Sequence, residues 1–351
     1  MLCLLPCCAR VVPRAHSGTV LQTHVWTNML VYTLVGVALG ALLLRHRPSV
    51  YLVDFATFKP PTSWQCSHDD IMELIEKVYD FSPESVDFCR RILARSATGQ
   101  KTHWPPSLTK YLNRNQEVPL TKVENYSPTV KEAREEAEAV ICGCLQDLMD
   151  KTNLKPKEID FLVINCSLFS PTPSLAAMVS NHFHLRPDCK TYNLGGMGCS
   201  AGVISVDLAK QLIRNRPNSL AVVISTENLT QQLYLGNKRS MLLQNTLFRV
   251  GGAAMLMSSR YKDAFRAKYK LLHTVRFQNA SNDAYECVYE TQDEHHARGI
   301  RLSKQITKIA GKALTKNLTI LGCVRSPPLC MACISPVFCM AAPASSPFAS
   351  K

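Results

Sequence analysis

Charge is scarce along this chain. Only 19% of its 351 residues are Asp, Glu, Lys or Arg, against 46% hydrophobic. That balance excludes a disordered polymer and supplies enough apolar surface for one large or two ordinary domains. Acidic residues are the rarer sign: 27 Asp and Glu against 40 Lys and Arg give a net charge of +13, which suits anionic partners such as a phosphate tail or lipid headgroups. No zinc-finger, RRM or basic-helix pattern accompanies the scattered positive charges, so nucleic acid is not an expected partner. The 15 cysteines lack the spacing of a small disulfide framework, and their odd number leaves at least one thiol over; reduced thiols on a cytosolic face fit better. Close pairs occur at Cys7–Cys8, Cys142–Cys144 and Cys330–Cys333. None has a well-spaced second pair, even counting Cys323 and Cys339, and no metal site is expected.

A clean signal peptide is also missing from residues 1–27, where Arg10 and Arg14 interrupt a broken apolar run. The uncharged stretch Met29–Leu44 follows, flanked by Trp26 and by Arg45, His46 and Arg47. The uncharged run is itself slightly short of the ~20 residues of a typical span, and with its flanks it predicts a transmembrane helix over 28–47. The basic residues after it place the following body on the cytosolic side.

Beyond residue 48 the pattern is that of an α/β domain. Tyr51–Phe55 reads as a strand, and Asp69–Tyr79 and Ser82–Ala94 as amphipathic helices forming a peripheral hairpin. Thr129–Met149 reads as a long helix, Ile159–Cys166 and Leu220–Thr226 as buried strands, and Ser174–Phe183 as a helix between them. This alternation predicts a parallel-type sheet with helices on its faces. Arg239–Leu243 reads as a short helix, Asn245–Ser258 as a turn and a strand, Lys268–Val275 as a strand, and Leu302–Asn317 as a basic amphipathic helix. His295 and His296 fall in a polar loop.

The stretch Asn193–Ile213, NLGGMGCSAGVISVDLAKQLI, organises the rest. Lys190–Asn193 ends a strand, Gly195, Gly196 and Gly198 permit a sharp turn, and Ala201, Ile204, Ser205, Leu208 and Leu212 repeat at helical spacing. Cys199 therefore sits where a strand turns into a helix. Unpaired N–H groups and the positive end of the helix dipole favour a thiolate there, which makes Cys199 the candidate nucleophile of an elbow.

That elbow, together with YLVDFATFKPP (Tyr51–Pro61), STEN (Ser225–Asn228), RSMLLQNTLFRVGGAAML (Arg239–Leu256) and KYKLLHTVR (Lys268–Arg276), resembles the plant 3-ketoacyl-CoA synthases. These are the condensing enzymes of very-long-chain fatty acid elongation, and the likeness runs from about Pro48 to Gly322. It implies a thiolase-like fold, of which residues 48–322 resemble the N-terminal half only, and a reaction in which Cys199 accepts an acyl group from acyl-CoA before condensation with malonyl-CoA. No cofactor is implied beyond those substrates. Phe248 is placed near the acyl tunnel as a substrate-binding residue. His273 matches a family histidine, although a lone His on an apolar strand reads as core, and the loop Phe277–Asp283 departs from the family pattern. The resemblance further implies an endoplasmic reticulum membrane protein with its catalytic body facing the cytosol. Its implied partners are a second copy, other synthases and other enzymes of the elongase complex.

Residues 323–351, rich in Pro, Cys, Ser and Ala, have no periodicity and read as a divergent, disordered tail. The half that supplies a histidine and an asparagine to the site in the thiolase fold is not recognisable. The chain is therefore expected to be a C-terminally truncated synthase without condensing activity. A non-catalytic partner of full-length synthases and a soluble type III polyketide-synthase-like enzyme are the alternatives.

Overall fold

The computed structural model describes residues 28–37, 40, 48–112, 128–279 and 281–325. Two compact units divide at Pro48 and Ser49. In the first, residues 28–37 are helical, with Leu30, Tyr32, Leu34 and Val37 exposed. The expected span over 28–47 is thus described only in part, and among the described residues no helix is long and apolar enough to cross a membrane. The segment 1–27 and the tail beyond Arg325 lie outside the described residues.

The second unit is built on a six-stranded sheet. In chain order its principal elements are β1 (Val50–Thr57), β2 (Gln65–Cys66), α1 (His68–Glu73), α2 (Pro83–Arg95), β3 (Thr102–His103), α3 (Val130–Thr152), β4 (Phe161–Asn165), α4 (Leu175–His182), β5 (Lys190–Leu194), α5 (Ala201–Asn215), β6 (Leu220–Thr226), α6 (Arg239–Leu247), β7 (Gly252–Ser258), β8 (Tyr269–Leu271), β9 (Val288–Gln292), β10 (Arg298–Leu302) and α7 (Ile306–Arg325). The strand order is β5-β4-β6-β7-β1-β8. Only β5, β4 and β6 run parallel; β7, β1 and β8 join antiparallel. The sheet is therefore mixed, which corrects the parallel-type expectation. Direction depends on which strand a segment reaches, and apolar patterning carries no record of that.

Helices cover both faces. Thr129 caps α3 by accepting from the Glu132 N–H while the Glu132 carboxylate accepts from the Thr129 N–H, and Asn153 ends the helix at φ 53°. Ala137, Ile141, Leu145 and Leu148, three and four residues apart, pack with α4 on one face of the sheet. Each large aliphatic side chain so buried contributes about 1.5–3 kcal/mol. On the other face Ala209 and Ile213 of α5 pack against Val163, Ala221 and Val223. The α1–α2 hairpin builds a separate cluster with Trp104, Tyr234, Met241 and Leu242, which anchors it. The arrangement brings the carboxyl ends of β4, β5 and β6 to one edge, where open α/β sheets hold their ligands.

Candidate active site

At that edge β5 runs out at Leu194 and the chain turns through Gly195, Gly196, Met197 and Gly198. Gly196 and Gly198 take φ of +68° and +58°, a region that costs other L-residues about 1–2 kcal/mol. Gly195 is needed for closeness instead: a Cβ there would lie 3.0 Å from Ser170 Oγ. Gly198–Ser200 forms a 3-10 turn leading directly into α5, and neither the turn nor the helix takes a side-chain cap. Cys199 sits in this turn, exposed, and among the described residues no side chain or backbone group hydrogen-bonds its sulfur.

The loop after β4 braces the elbow. Gly196 N–H donates to the Ser167 carbonyl at 2.9 Å, and the Ser167 hydroxyl donates to the Gly198 carbonyl at 3.0 Å. Ser167 is held in turn by its own N–H, which donates to both carboxylate oxygens of Glu227 at 2.9 Å. Beneath α5 a buried polar bridge ties helix to sheet. Asn165 Nδ2 donates to Ser205 Oγ at 3.0 Å, Ser225 Oγ donates to Asn165 Oδ1 at 3.0 Å, and Ser205 Oγ donates to the Ala201 carbonyl at 2.7 Å. Gly202 permits the close approach, since a Cβ there would lie 3.1 Å from Ser225 Oγ. Ser225 and Glu227 belong to the STEN motif, but nothing in their spacing discloses that they support the elbow. Ser167 and Asn165 carry no sequence signal at all.

Cys166, also near the turn, is chemically different. It is buried, and burial first, then Glu227, pushes its thiol up to about 12; it stays protonated, with Sγ donating to Glu227 Oε2 at 3.7 Å.

The other sequence candidates fall elsewhere. His273 is exposed beyond the end of β8, which corrects its reading as a core residue. The neighbouring Thr274 accepts from Lys210 Nζ and donates to Asp207 Oδ1. Those partners lie eight and eleven residues along the chain from Cys199, roughly 12–16 Å of helix rise, so His273 is not brought to the sulfur. His295 and His296 are exposed, as expected. Phe248 stands just past α6, 38% exposed. It lines a cleft of about 240 Å³ with Trp104, Leu108, Leu229 and Gln244, and its carbonyl accepts from Trp104 Nε1 at 3.1 Å. A second cavity, about 260 Å³, adjoins the elbow between Cys166, Phe169, Ser174, Leu175, Asn193 and Leu194. Cys199 forms part of neither wall.

Comparison with known proteins agrees with this arrangement. 3-Ketoacyl-CoA synthase 9 of Arabidopsis thaliana is 44% identical over 331 residues, 92% of this chain and 62% of that protein. 3-Ketoacyl-CoA synthase 5 of the same plant is 48% identical over 275 residues, 78% of this chain and 53% of that protein. The chain thus spans between half and two thirds of the length of these relatives. Among solved structures, a type III pentaketide synthase from Neurospora crassa superposes with a TM-score of 0.59 at 17% identity, over 80% of this chain and 74% of that one. PKS-I from the brown alga Ectocarpus siliculosus gives 0.59 at 14% identity, over 79% and 74%. At such identities the likeness is one of fold, here the thiolase-like α/β fold. The family model described as FAE1/type III polyketide synthase-like protein matches residues 41–329, so the glycine elbow, its serine braces and the mixed sheet beneath them are those of a chain that belongs to the FAE1/type III polyketide synthase-like family.

Proposed function

We propose that this chain carries the acyl-accepting cysteine of a 3-ketoacyl-CoA synthase, with Cys199 loaded from a long-chain acyl-CoA. The observation that carries the reading is the exposed thiol at the head of an uncapped 15-residue helix, in a family of condensing enzymes. Attack of the sulfur on the thioester carbonyl forms an acyl-Cys199 thioester and expels the thiolate of CoA, which takes up the proton that Cys199 loses. The uncapped N–H groups of the helix start, that of Cys199 among them, are the donors available to the tetrahedral oxyanion. In the complete reaction malonyl-CoA loses CO2, and its carbanion attacks this thioester to give a 3-keto chain two carbons longer.

That second step draws on a histidine and an asparagine aimed at the sulfur. Among the described residues no imidazole or amide hydrogen-bonds Cys199, so the expectation for these residues is acylation without condensation. Groups of this kind are worth about two to three orders of magnitude each in comparable sites. The transmembrane helix expected over 28–47 serves, in this reading, to hold the body on the cytosolic face of the endoplasmic reticulum membrane. Phe248 contributes to acyl binding. A second reading, a non-catalytic subunit that pairs with full-length synthases, is favoured by the edge position of β5 beside the elbow.

Intact-mass analysis of the purified chain after incubation with a long-chain acyl-CoA tests the proposal. An acyl adduct on the wild type that is missing from Cys199→Ala is expected; no adduct on either sinks it. Malonyl-CoA-dependent elongation by microsomes expressing the chain, abolished by Cys199→Ala, would refute the limit to acylation. Co-purification with an intact synthase would favour the second reading, and loss of the chain on carbonate extraction would count against the anchor.

A further inference from the structure

Away from the elbow, three side chains from two helices converge on the outer part of the helical layer. Glu138 and Cys142 lie one turn apart on α3, so they share a face. His182, the last residue of α4, faces them, with Nδ1 3.5 Å from Glu138 Oε1. One ligand atom from each of the three residues lies within 4.8 Å of the other two. We propose that Glu138, Cys142 and His182 form a Zn²⁺-type metal site that ties α4 to α3.

The geometry is close to what such an ion requires. With metal–sulfur and metal–nitrogen bonds of about 2.3 and 2.0–2.1 Å, tetrahedral ligand atoms stand about 3.4–3.6 Å apart. The His182–Glu138 pair already has that separation, and the sulfur has at most about 1.3 Å to close. Two of the three side chains have room to adjust, since Glu138 and His182 are each nearly half exposed while Cys142 is buried. A mixed sulfur, nitrogen and oxygen set selects a borderline-soft ion over Mg²⁺ or Ca²⁺, and the fourth position is open to water.

Among the described residues no Lys or Arg pairs with Glu138. Arg134, one turn earlier on α3, donates instead to the carbonyls of Thr172 and Pro173. Among the described residues His182 is the one ion-pair partner of Glu138. Binding replaces the S–H bond of Cys142 with a sulfur–metal bond and releases one proton to solvent. The start of α4, at Ser174 and Leu175, walls the cavity beside the elbow, so a metal at its other end would brace that wall. Paired cysteines are the sequence signal of a metal site, and this cluster carries none: Cys144, the nearest cysteine in the chain, is buried and bonds the Ile141 carbonyl.

The test is titration of the full chain, stripped with EDTA, first with Co²⁺ and then with Zn²⁺. A thiolate-to-cobalt charge-transfer band saturating at one equivalent per chain, displaced by Zn²⁺, is expected. Cys142→Ser should abolish the band. Glu138→Gln and His182→Ala should each weaken binding by about tenfold or more, removal of a direct ligand being at least as severe as loss of an outer-shell partner. Cys199→Ser and the double variant Cys330→Ser with Cys333→Ser should keep it. Absence of the band, or its survival in Cys142→Ser, overturns the proposal. Should Cys142→Ser fail to fold, unchanged Co²⁺ affinity in His182→Ala, an exposed position, overturns it equally.

Discussion

Glu136 offers the sharpest test of how the elbow is held. It is 3% exposed on α3, and its carboxylate accepts three hydrogen bonds: from Leu229 N–H at 2.8 Å, Thr230 N–H at 2.8 Å and the Thr230 hydroxyl at 2.5 Å. Leu229 and Thr230 follow Glu227 and Asn228 in the chain, so Glu136 fixes the segment from which Glu227 reaches Ser167 and the glycine turn. Glu136→Ala orphans two buried backbone N–H groups, at about 1–3 kcal/mol each. The Thr230 hydroxyl keeps Ser107 as a partner at 2.6 Å. With the cavity added, a loss of about 3–5 kcal/mol is expected. Glu136→Gln keeps the shape but turns an NH2 toward donors, and about 2 kcal/mol should go. Urea unfolding measures both through the midpoint at constant m. The pH dependence supplies a sign. Burial holds the Glu136 carboxyl above the ordinary carboxylate range, with the Thr230 and Leu229 donors pulling the other way. The folded state then keeps a proton that the unfolded chain releases. The wild type should accordingly lose stability relative to Glu136→Gln as pH rises from the ordinary range through the raised value. A cost below about 1 kcal/mol for Glu136→Ala would refute the hydrogen-bond reasoning; the opposite pH slope would refute the assigned burial effect.

Two further outcomes follow from the elbow. Gly198→Ala meets no neighbouring atom and should cost only the backbone strain, about 1–2 kcal/mol. Gly202→Ala gains about 1 kcal/mol of helix propensity against a tight contact at 3.1 Å with Ser225 Oγ, so its change in melting temperature should be much the smaller. Peptide mapping after brief iodoacetamide treatment of the native chain should find Cys199 labelled first among Cys66, Cys89, Cys142, Cys144, Cys166, Cys189, Cys199 and Cys287. It is the exposed member of that group, and burial pushes Cys89 and Cys142 up to about 11 and Cys144 and Cys166 to about 12. Prior labelling at Cys144 or Cys166 would contradict this packing.

What could be read without coordinates is what depends on neighbours in the chain. The glycine turn, the helix after it and the starts of the helices read from Ser82 and Thr129 each rest on a few consecutive residues, and the structure has them within a residue or two of those positions. The departures share a different cause. The strand expected over Lys268–Val275 pairs only through Tyr269–Leu271, because Thr274 leaves the sheet to bond Asp207 and Lys210. The helix expected to stop at Leu243 continues to Leu247. Asn245, which reads as a turn residue, spends its amide on the Tyr234 backbone instead, accepting from N–H and donating to the carbonyl. Leu302, expected to begin the last helix, closes β10. In the first two cases a polar side chain found a partner elsewhere in the chain and overrode the local preference; in the third, Leu302 pairs with Val288 of β9.

The same division runs through the site itself. Cys199 is legible because a nucleophile at a strand-to-helix turn needs glycines beside it, and these are consecutive. Its supports are not, since Ser167 to Glu227 and Asn165 to Ser225 each span 60 residues, and serine, asparagine and glutamate are common enough that no spacing singles them out. Placing a thiol at a helix start takes one local motif. Holding the turn there takes a relay from α3 through the STEN segment and the loop after β4, and each link is a buried or partly buried polar group whose partner must be present. Loss of Glu136 should therefore be felt at Cys199, through Glu227 and Ser167, although neither carboxylate touches the sulfur. Cys199 labelling in Glu136→Gln, measured well below the unfolding midpoint, separates that relay from a simple loss of global stability. A changed rate in a fully folded variant supports the relay, and an unchanged rate means that the glycine turn stands on its own.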